Sequence, residues 1–247
     1  MIEILIIVAV VFFIAVLFYK QANEEFEILQ ITSSRMDELP TLYAERYPIV
    51  LSDYGLPGLG TETELRKRPA ILQMKMGGTT LQALLDRPAN LRSFTFPYET
   101  AQFIAKETGL STWFQHHLYA RLLPSPYTKW FYTARTSLWP DHRGLFKTSA
   151  FQTLIMPTQG TARVSLMLPT VLPYLPTRWE GRMLHSITTQ DTPLLSQISY
   201  VDVILRPGTL LLLPPHMIVD ISTGPQGQLS AWSFIAEIHH PISIIAG

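Results

Sequence analysis

Histidine is the residue type in this chain best suited to build a metal or acid–base site. The 247 residues include seven histidines and no cysteine. Without cysteine there are no disulfides, thiolate metal sites or cysteine nucleophiles. No His-x-Asp or His-x-Glu pair occurs, and neither does a glycine-rich phosphate loop, a serine nucleophile elbow or an HExxH motif. The sequence therefore contains no complete catalytic motif.

Two histidines are candidate ligands by position. His142 lies in the sequence DHRG, and His216 follows a pair of prolines. A lone histidine is more often a loop, turn or strand-start residue than a ligand, so both are interpreted in that way, with metal ligation as the alternative. Asp220, at the end of an expected strand, is interpreted as a turn or edge residue rather than a base.

Two histidine pairs are less suited to a shared site. His116 and His117 lie on an expected helix, where neighbours diverge by about 100°. His239 and His240 close the last expected strand, where adjacent side chains face opposite ways, so at most one of them points inward.

Charge argues against nucleic acid as the main partner. Lys plus Arg equals Asp plus Glu, at 19 each, so the formal net charge is zero. Phosphate binding requires clustered positive charge. Charged residues make up only 15% of the chain and there are 19 prolines. This composition favours many short turns and a surface largely covered by neighbours.

The N-terminal segment is uncharged from Ile4 to Tyr19 and lacks glycine and proline there. With the preceding residues it forms about 19 apolar positions, or roughly 28 Å of helix, close to the thickness of a bilayer core. A cleaved signal peptide is the alternative, but Glu3 replaces the basic residues that such a peptide needs. We expect residues 1–20 to be an uncleaved transmembrane anchor that contacts the lipid bilayer.

Beyond the anchor, residues 21–45 are polar and are expected to form a stalk, with residues 46–247 as one β domain. Lys20 follows the apolar run, and the positive-inside rule favours a domain on the cytoplasmic side. The expected localisation is that of a single-pass membrane protein, with the inner membrane of a virion as one setting.

The expected domain combines one long helix with many short strands. Apolar spacing predicts a helix over 98–122 that breaks at Gly109, and Thr79 is expected to cap a short helix ending at Leu85. Expected strands cover 47–51, 70–74, 130–134, 151–156, 162–168, 201–205, 209–213, 217–221 and 229–238. Strands 151–156 and 162–168 are expected to pair around Gly160, giving a barrel or sandwich with the helix outside.

Three segments carry a family resemblance. Residues 151–169 read FQTLIMPTQG and then TARVSLMLP, residues 203–215 read VILRPGTLLLLPP, and residues 47–51 read YPIVL. In this order and spacing they resemble the cupin-like, JmjC-type double-stranded β-helix family. The resemblance implies a mainly β chain: a double-stranded β-helix barrel with flanking helices, in addition to the N-terminal transmembrane helix.

Catalytic members of that family bind Fe(II) through a His-x-Asp/Glu pair and a distal histidine. Here the sequence before the Gln152 strand is FKTS, and the distal position is Val219. His142 is the nearest histidine to the first position, and His216 is three residues from the second. The resemblance therefore predicts no metal, no cofactor and no catalytic residue, with His142 and His216 as the alternative ligands.

Three functions remain open. The first is a membrane-anchored, non-catalytic structural or interaction protein with protein partners in a larger assembly, such as a minor capsid or membrane-associated protein of a large virus, or an accessory subunit of a membrane complex. Such an interface is suited by the aromatic residues Tyr127, Trp130, Tyr132, Tyr174 and Trp179. The second is a membrane-bound Fe(II)/2-oxoglutarate-dependent hydroxylase with an atypical site. The third is a barrel that binds a small molecule in its cavity.

Overall fold

The computed structural model describes residues 2–20, 27–87, 94, 96–124, 126–223 and 231–246. About 27% of the described residues are in strands and about 40% are in helices. The fold is therefore mixed α/β with several sheets, and the expectation of a mainly β chain underestimates its helices.

The helices are mostly short apart from the first. They are α1 Ile2–Lys20, α2 Leu39–Leu42, α3 Glu62–Arg66, α4 Pro69–Leu72, α5 Leu81–Leu85, α6 Tyr98–Glu107, α7 Leu110–His117, α8 Tyr119–Leu122 and α9 Pro241–Ala246. Short 3-10 segments include Ser33–Glu38, Tyr43–Glu45, Pro126–Phe131, Pro169–Tyr174, Leu184–Ser186 and Leu195–Gln197.

The strands run along the whole body. They are β1 Leu29–Thr32, β2 Ile49–Ser52, β3 Lys75–Met76, β4 Thr79–Thr80, β5 Thr133–Pro140, β6 Phe146–Lys147, β7 Gln152–Gln159, β8 Ala162–Met167, β9 Val201–Leu205, β10 Leu210–Leu213, β11 Ile218–Thr223 and β12 Trp232–His239.

Two main sheets organise the body. The larger has the order β1-β2-β10-β7-β12-β5, and the smaller has the order β6-β11-β8-β9. Strand β1 pairs with β2 in parallel, and the other pairings in both sheets are antiparallel. In chain order, β5, β7, β10 and β12 lie in the larger sheet and β6, β8, β9 and β11 in the smaller one, so that the chain passes repeatedly between the sheets and only β8 and β9 follow one another in the same sheet. A large core cluster contains side chains from both sheets.

Helix α1 is long and apolar enough to cross a membrane, by its length and composition. A signal sequence or the core helix of a soluble protein passes the same test. Thirteen large apolar side chains of α1 are 44–77% exposed, and Tyr19 is its one buried residue. The body therefore buries almost none of the surface of α1.

Strand positions follow the sequence expectations better than strand partners do. The strand over 201–205 is confirmed, and the strand expected at 209–213 lies inside the larger sheet, between β2 and β7. The expected pairing around Gly160 is wrong, because β7 lies in the larger sheet and β8 in the smaller. Gly160 has a φ of 69°, and its turn carries the chain from one sheet to the other.

Local chemistry explains three smaller differences. The strand expected over 70–74 is wrong, because Pro69 is suited to the first turn of a helix and starts α4. Thr80, rather than Thr79, caps α5 by accepting a hydrogen bond from the Ala83 backbone N–H. The strand expected over 130–134 instead begins at Thr133, after a 3-10 segment.

The helical region over 98–122 lies as expected, outside the sheets. Gly109, with a φ of 82°, separates α6 from α7. Phe114 of α7 packs with its ring centroid 6.0 Å from that of Phe234 in β12. Ser111 of α7 shares a hydrogen bond of 2.7 Å with Thr136 of β5. Helix α7 therefore covers the outer face of the larger sheet, and the alternate residues of β12 face the interior.

The segment expected to be a stalk contributes to the sheet. Its residues 27–45 are described, and within them Leu29–Thr32 pair in register with Ile49–Ser52 of β2. Ile31, Met36 and Leu39 are buried in the main core. Residues 21–26 and the start of the strand expected over 229–238 lie outside the described residues.

The expected sensitivity of the 209–213 strand gives a stability prediction. Leu211 is fully buried in β10, whereas Ile204 is 55% exposed on β9, at the edge of the smaller sheet. We expect Leu211→Lys to lower the free energy of unfolding by more than about 4 kcal/mol, because it buries an unpaired charge. Ile204→Lys should change it by less than about 0.5 kcal/mol. Urea denaturation measures both, and equal losses would contradict the assigned burial.

Candidate functional site

The structure places His142 and His216 in different surroundings. His142 follows β5 in the chain and lies near His185, and burial followed by that neighbour lowers the pKa of His142. His216 lies in the turn before β11 with a φ of 72°, and its imidazole contacts Tyr19. The two candidate histidines therefore have different contact partners.

A packed apolar side chain occupies the position expected for the distal ligand. Val219 of β11 is fully buried in the main core and lies opposite Phe146 of β6. Its side chain has no lone pair. Among the residues that the structure describes, no group of three or more His, Asp or Glu side chains converges to hold a metal ion. The residues present do not fit the Fe(II) site that the catalytic members of the resembled family carry.

A buried ion pair lies beside Phe146. The Nη2 atom of Arg143 lies 3.3 Å from Oε1 of Glu237 in β12. Its guanidinium carbon lies 3.7 Å from the centroid of the Phe146 ring and 5.3 Å from that of Trp139. Such cation–π contacts favour a desolvated arginine. No local sequence pattern predicts this pair, because its members are 94 residues apart in the chain.

Tyr98 of α6 completes this cluster. Its hydroxyl donates a hydrogen bond of 2.9 Å to Oε2 of Glu237. Burial, with the Glu237 charge as a second cause, raises the pKa of Tyr98 to about 12. His239, two residues along β12 from Glu237, has its pKa lowered by burial. Glu237 balances the charge of Arg143. The cluster is therefore neutral overall, and its side chains fill the interior.

His239, the last residue of β12, and the following His240 have different contact partners. His239 has its Nε2 atom 4.0 Å from the Glu237 carboxylate. The ring centroid of His240 instead lies 5.0 Å from that of Tyr132.

The contact between α1 and the body is the second candidate site. The Tyr19 hydroxyl donates a hydrogen bond of 2.6 Å to the backbone carbonyl of Ser149. The Tyr19 and His216 rings meet edge to face, with centroids 5.0 Å apart. Nε2 of His216 lies 3.1 Å from the backbone carbonyl oxygen of Tyr19. The last carbonyls of a helix lack partners within it, so His216 supplies one. We call Tyr19, Ser149 and His216 the junction.

Basic residues surround the junction. The guanidinium of Arg46 lies 4.5 Å from the centroid of the Phe18 ring. Burial is the main cause that lowers the pKa of His216, and the positive charges of Lys147, Arg46 and Lys20 also lower it. The end of α1 that carries the body is therefore the positively charged end.

Comparisons with known proteins add little. No family model matches the sequence, and no curated protein matches it. One similar solved structure is hydroquinone 1,2-dioxygenase from Sphingomonas sp. TTNP3 with 4-hydroxybenzoate bound, at 14% identity and a TM-score of 0.29. The match covers 45% of this chain and 61% of that one, which is less than two thirds of its length. A likeness this distant carries no argument about the activity of this chain.

The junction gives a prediction that distinguishes the two candidate histidines. His216→Ala removes a buried ring contact and a partner of the helix end, so we expect a loss of about 1–2 kcal/mol in unfolding free energy at pH 7.5. His142→Ala, the matched control, should cost less than about 0.5 kcal/mol, because the ring is partly exposed. Urea denaturation of the full chain in lipid nanodiscs measures both.

The stability of the same variants depends on pH, and the direction of this dependence follows from the pKa of His216. The folded-state pKa of His216 lies below its ordinary value of 6.5. The unfolded chain therefore binds more protons as the pH falls through 6.5, and stability decreases. In His216→Ala the free energy of unfolding should decrease less steeply as the pH falls. In His142→Ala the part of this decrease that comes from His216 should remain. An unchanged slope in His216→Ala would contradict a buried, neutral imidazole at the junction.

Proposed function

We propose that this chain is a membrane-anchored, non-catalytic interaction protein, in which α1 crosses the bilayer and the body presents a protein-binding surface. The observation that carries the proposal is the junction. Tyr19, the last aromatic residue of an otherwise exposed apolar helix, is held by Ser149 and His216 of the body. A helix held in this way fixes the body close to the membrane surface, whereas a flexible stalk leaves it free to move.

Charge supports an orientation for this proposal. Lys20, Arg46 and Lys147 all lie near the body end of α1, while Glu3 lies in its first turn. Positive charge accumulates on the cytoplasmic side of membrane helices. The proposed body is therefore cytoplasmic, and in a virus it lies on the corresponding face of the virion membrane.

The proposed fold of the body is a degenerate double-stranded β-helix of the cupin-like, JmjC type. The division of β5 to β12 between two four-stranded sets, with repeated passages of the chain from one sheet to the other, supports it. So does the distal position, where Val219 packs against Phe146 in place of a ligand. Arg143 and Glu237 fill the neighbouring interior. These contacts favour a stabilised core over an open metal position, and hence binding over catalysis.

An exposed aromatic pair supports the protein-binding surface. Trp130 is 93% exposed and Phe131 is 61% exposed. An open cavity of about 620 Å³ lies beside Trp130 and is also lined by Tyr119, Lys129 and Tyr132. Tryptophan and tyrosine side chains contribute disproportionately to protein–protein binding. We call Trp130 and Phe131 the aromatic tip.

The anchor is tested by membrane extraction. We expect the full-length chain to stay in the membrane pellet after carbonate treatment, because α1 is held by the bilayer core. A chain that lacks residues 2–17 but keeps the junction should appear in the supernatant. A mature N-terminus found downstream of Lys20 would identify a cleaved signal instead. Stoichiometric iron with 2-oxoglutarate turnover would replace the proposal with the hydroxylase.

The protein-binding surface is tested at the aromatic tip. We expect cross-linking of the chain in its native membranes to yield a discrete partner band, which Trp130→Ala reduces at least tenfold, because loss of an aromatic hot spot costs about 2 kcal/mol or more. Phe103→Ala is the matched control, since Phe103 is another exposed aromatic residue, on α6. Equal cross-linking by both variants would remove the aromatic tip from the proposal.

A further inference from the structure

A cavity lies on the outer side of the smaller sheet, away from the junction and the aromatic tip. The side chains of β8 and β11 alternate there: Val164 and Val219 point into the main core, while Ser165 and Asp220 face the other way. The segment over 169–200 covers this outer face through a second apolar cluster. Between them is a cavity of about 260 Å³, which we call the outer cavity.

The outer cavity has a polar wall and an apolar wall. The polar residues are Arg163, Ser165, His185, Tyr200, Asp220 and Ser222. The apolar residues are Leu184, Ile187, Leu195 and Ile198. A cavity with a few converging polar groups on an apolar background is the usual form of a small-molecule site.

Asp220 is the unusual member of the polar wall. Its side chain is 2% exposed, and its Oδ1 atom has no hydrogen-bond partner among the described residues. The Leu184 backbone N–H donates to its carboxylate. A buried carboxylate oxygen without a partner costs stability, so this atom indicates a ligand that donates a hydrogen bond. The expectation that Asp220 is a turn or edge residue is wrong, because it lies within β11 and is buried.

The charges around Asp220 favour a cationic donor. Asp202 of β9 accepts a hydrogen bond from the Ser165 hydroxyl at 2.6 Å and is paired with Arg163. These two charges cancel one another. Asp220 itself forms no ion pair among the described residues, and the nearby charges of Arg163 and His185 offset its burial only in part, since its pKa stays raised. An ammonium group satisfies its charge and its free oxygen together.

We propose that the outer cavity binds a small organic ammonium ion that carries an apolar group. The ammonium donates to Oδ1 of Asp220, and the apolar group packs on Ile187, Leu195 and Ile198. The volume is adequate, since an apolar cavity of about 150 Å³ holds benzene. The site is independent of the anchor, so its failure would leave the proposed function untouched.

Benzylamine is a suitable probe, and benzyl alcohol is its uncharged control. The full chain in nanodiscs of uncharged lipid is labelled at isoleucine methyl groups and titrated by NMR. We expect saturable shifts at Ile187 and Ile198 and none at Ile49, which lies in the distant strand β2. Benzyl alcohol should bind at least tenfold more weakly. Equal binding of the two probes, equal shifts at all three isoleucines, or no saturation would each overturn the proposal.

Asp220→Asn is the matched variant. It removes the charge and keeps the shape, so we expect at least tenfold weaker benzylamine binding and a thermal midpoint equal to or above that of the parent chain. If that variant does not fold, Leu195→Trp fills the cavity and leaves Asp220 in place, and it should also abolish the shifts. Benzylamine binding that survives in a folded variant of either kind would contradict the site.

The pH profile provides a second readout. Burial raises the pKa of Asp220 to about 6, so benzylamine binding should weaken as the pH falls below 6 and the carboxylate becomes neutral. Arg163, His185, Tyr200 and Asp202 are the other titratable groups that face this region. Repeating the series in His185→Gln separates the imidazole contribution. Benzylamine affinity that stays constant between pH 7.5 and 5 in both chains would overturn the ammonium–carboxylate contact.

Discussion

The exposed apolar surface of α1 is the constraint on which the rest of the structure depends. Among the described residues of this helix, thirteen large apolar side chains face outward. Removing this surface from water is favourable by on the order of 10–20 kcal/mol. That is comparable to the whole net stability of a typical domain, about 5–15 kcal/mol. The environment of α1 therefore determines where the body is located, and the body must be stable while it is held at that place.

The junction transmits this constraint into the sheets. His216, which contacts Tyr19, donates its backbone N–H to the carbonyl of Thr148. The Thr148 hydroxyl in turn donates to the carbonyl of Pro214 and accepts from the Met217 N–H. These bonds tie the end of β6 to the start of β11 in the smaller sheet. The contact between His216 and Tyr19 is therefore connected to the hydrogen bonding of the smaller sheet.

Sequence patterns located most elements because their signals are local. Gly160 and Gly208, with φ values of 69° and 95°, mark turns at which strands end. Strand partners were not predictable in this way, since seven of the eight residues of β7 are buried and its pattern does not distinguish one sheet from the other. The burial of Asp220 depends on the segment over 169–200, which has no apolar periodicity. The Arg143–Glu237 pair depends on the completed fold, and no short window contains both residues.

Single-cysteine labelling tests whether α1 lies in the bilayer, and it is clean because the chain contains no cysteine. Ala9→Cys lies in the middle of α1, and Asp37→Cys lies on the exposed surface of the body. The full chain is reconstituted in liposomes and treated with a membrane-impermeant maleimide, before and after the liposomes are dissolved with detergent and denaturant. We predict that Asp37→Cys reacts without denaturation, either in intact liposomes or once they are opened. Ala9→Cys should react only after denaturation. Rapid labelling of Ala9→Cys in intact liposomes would contradict a membrane-embedded α1 and the function proposed from it.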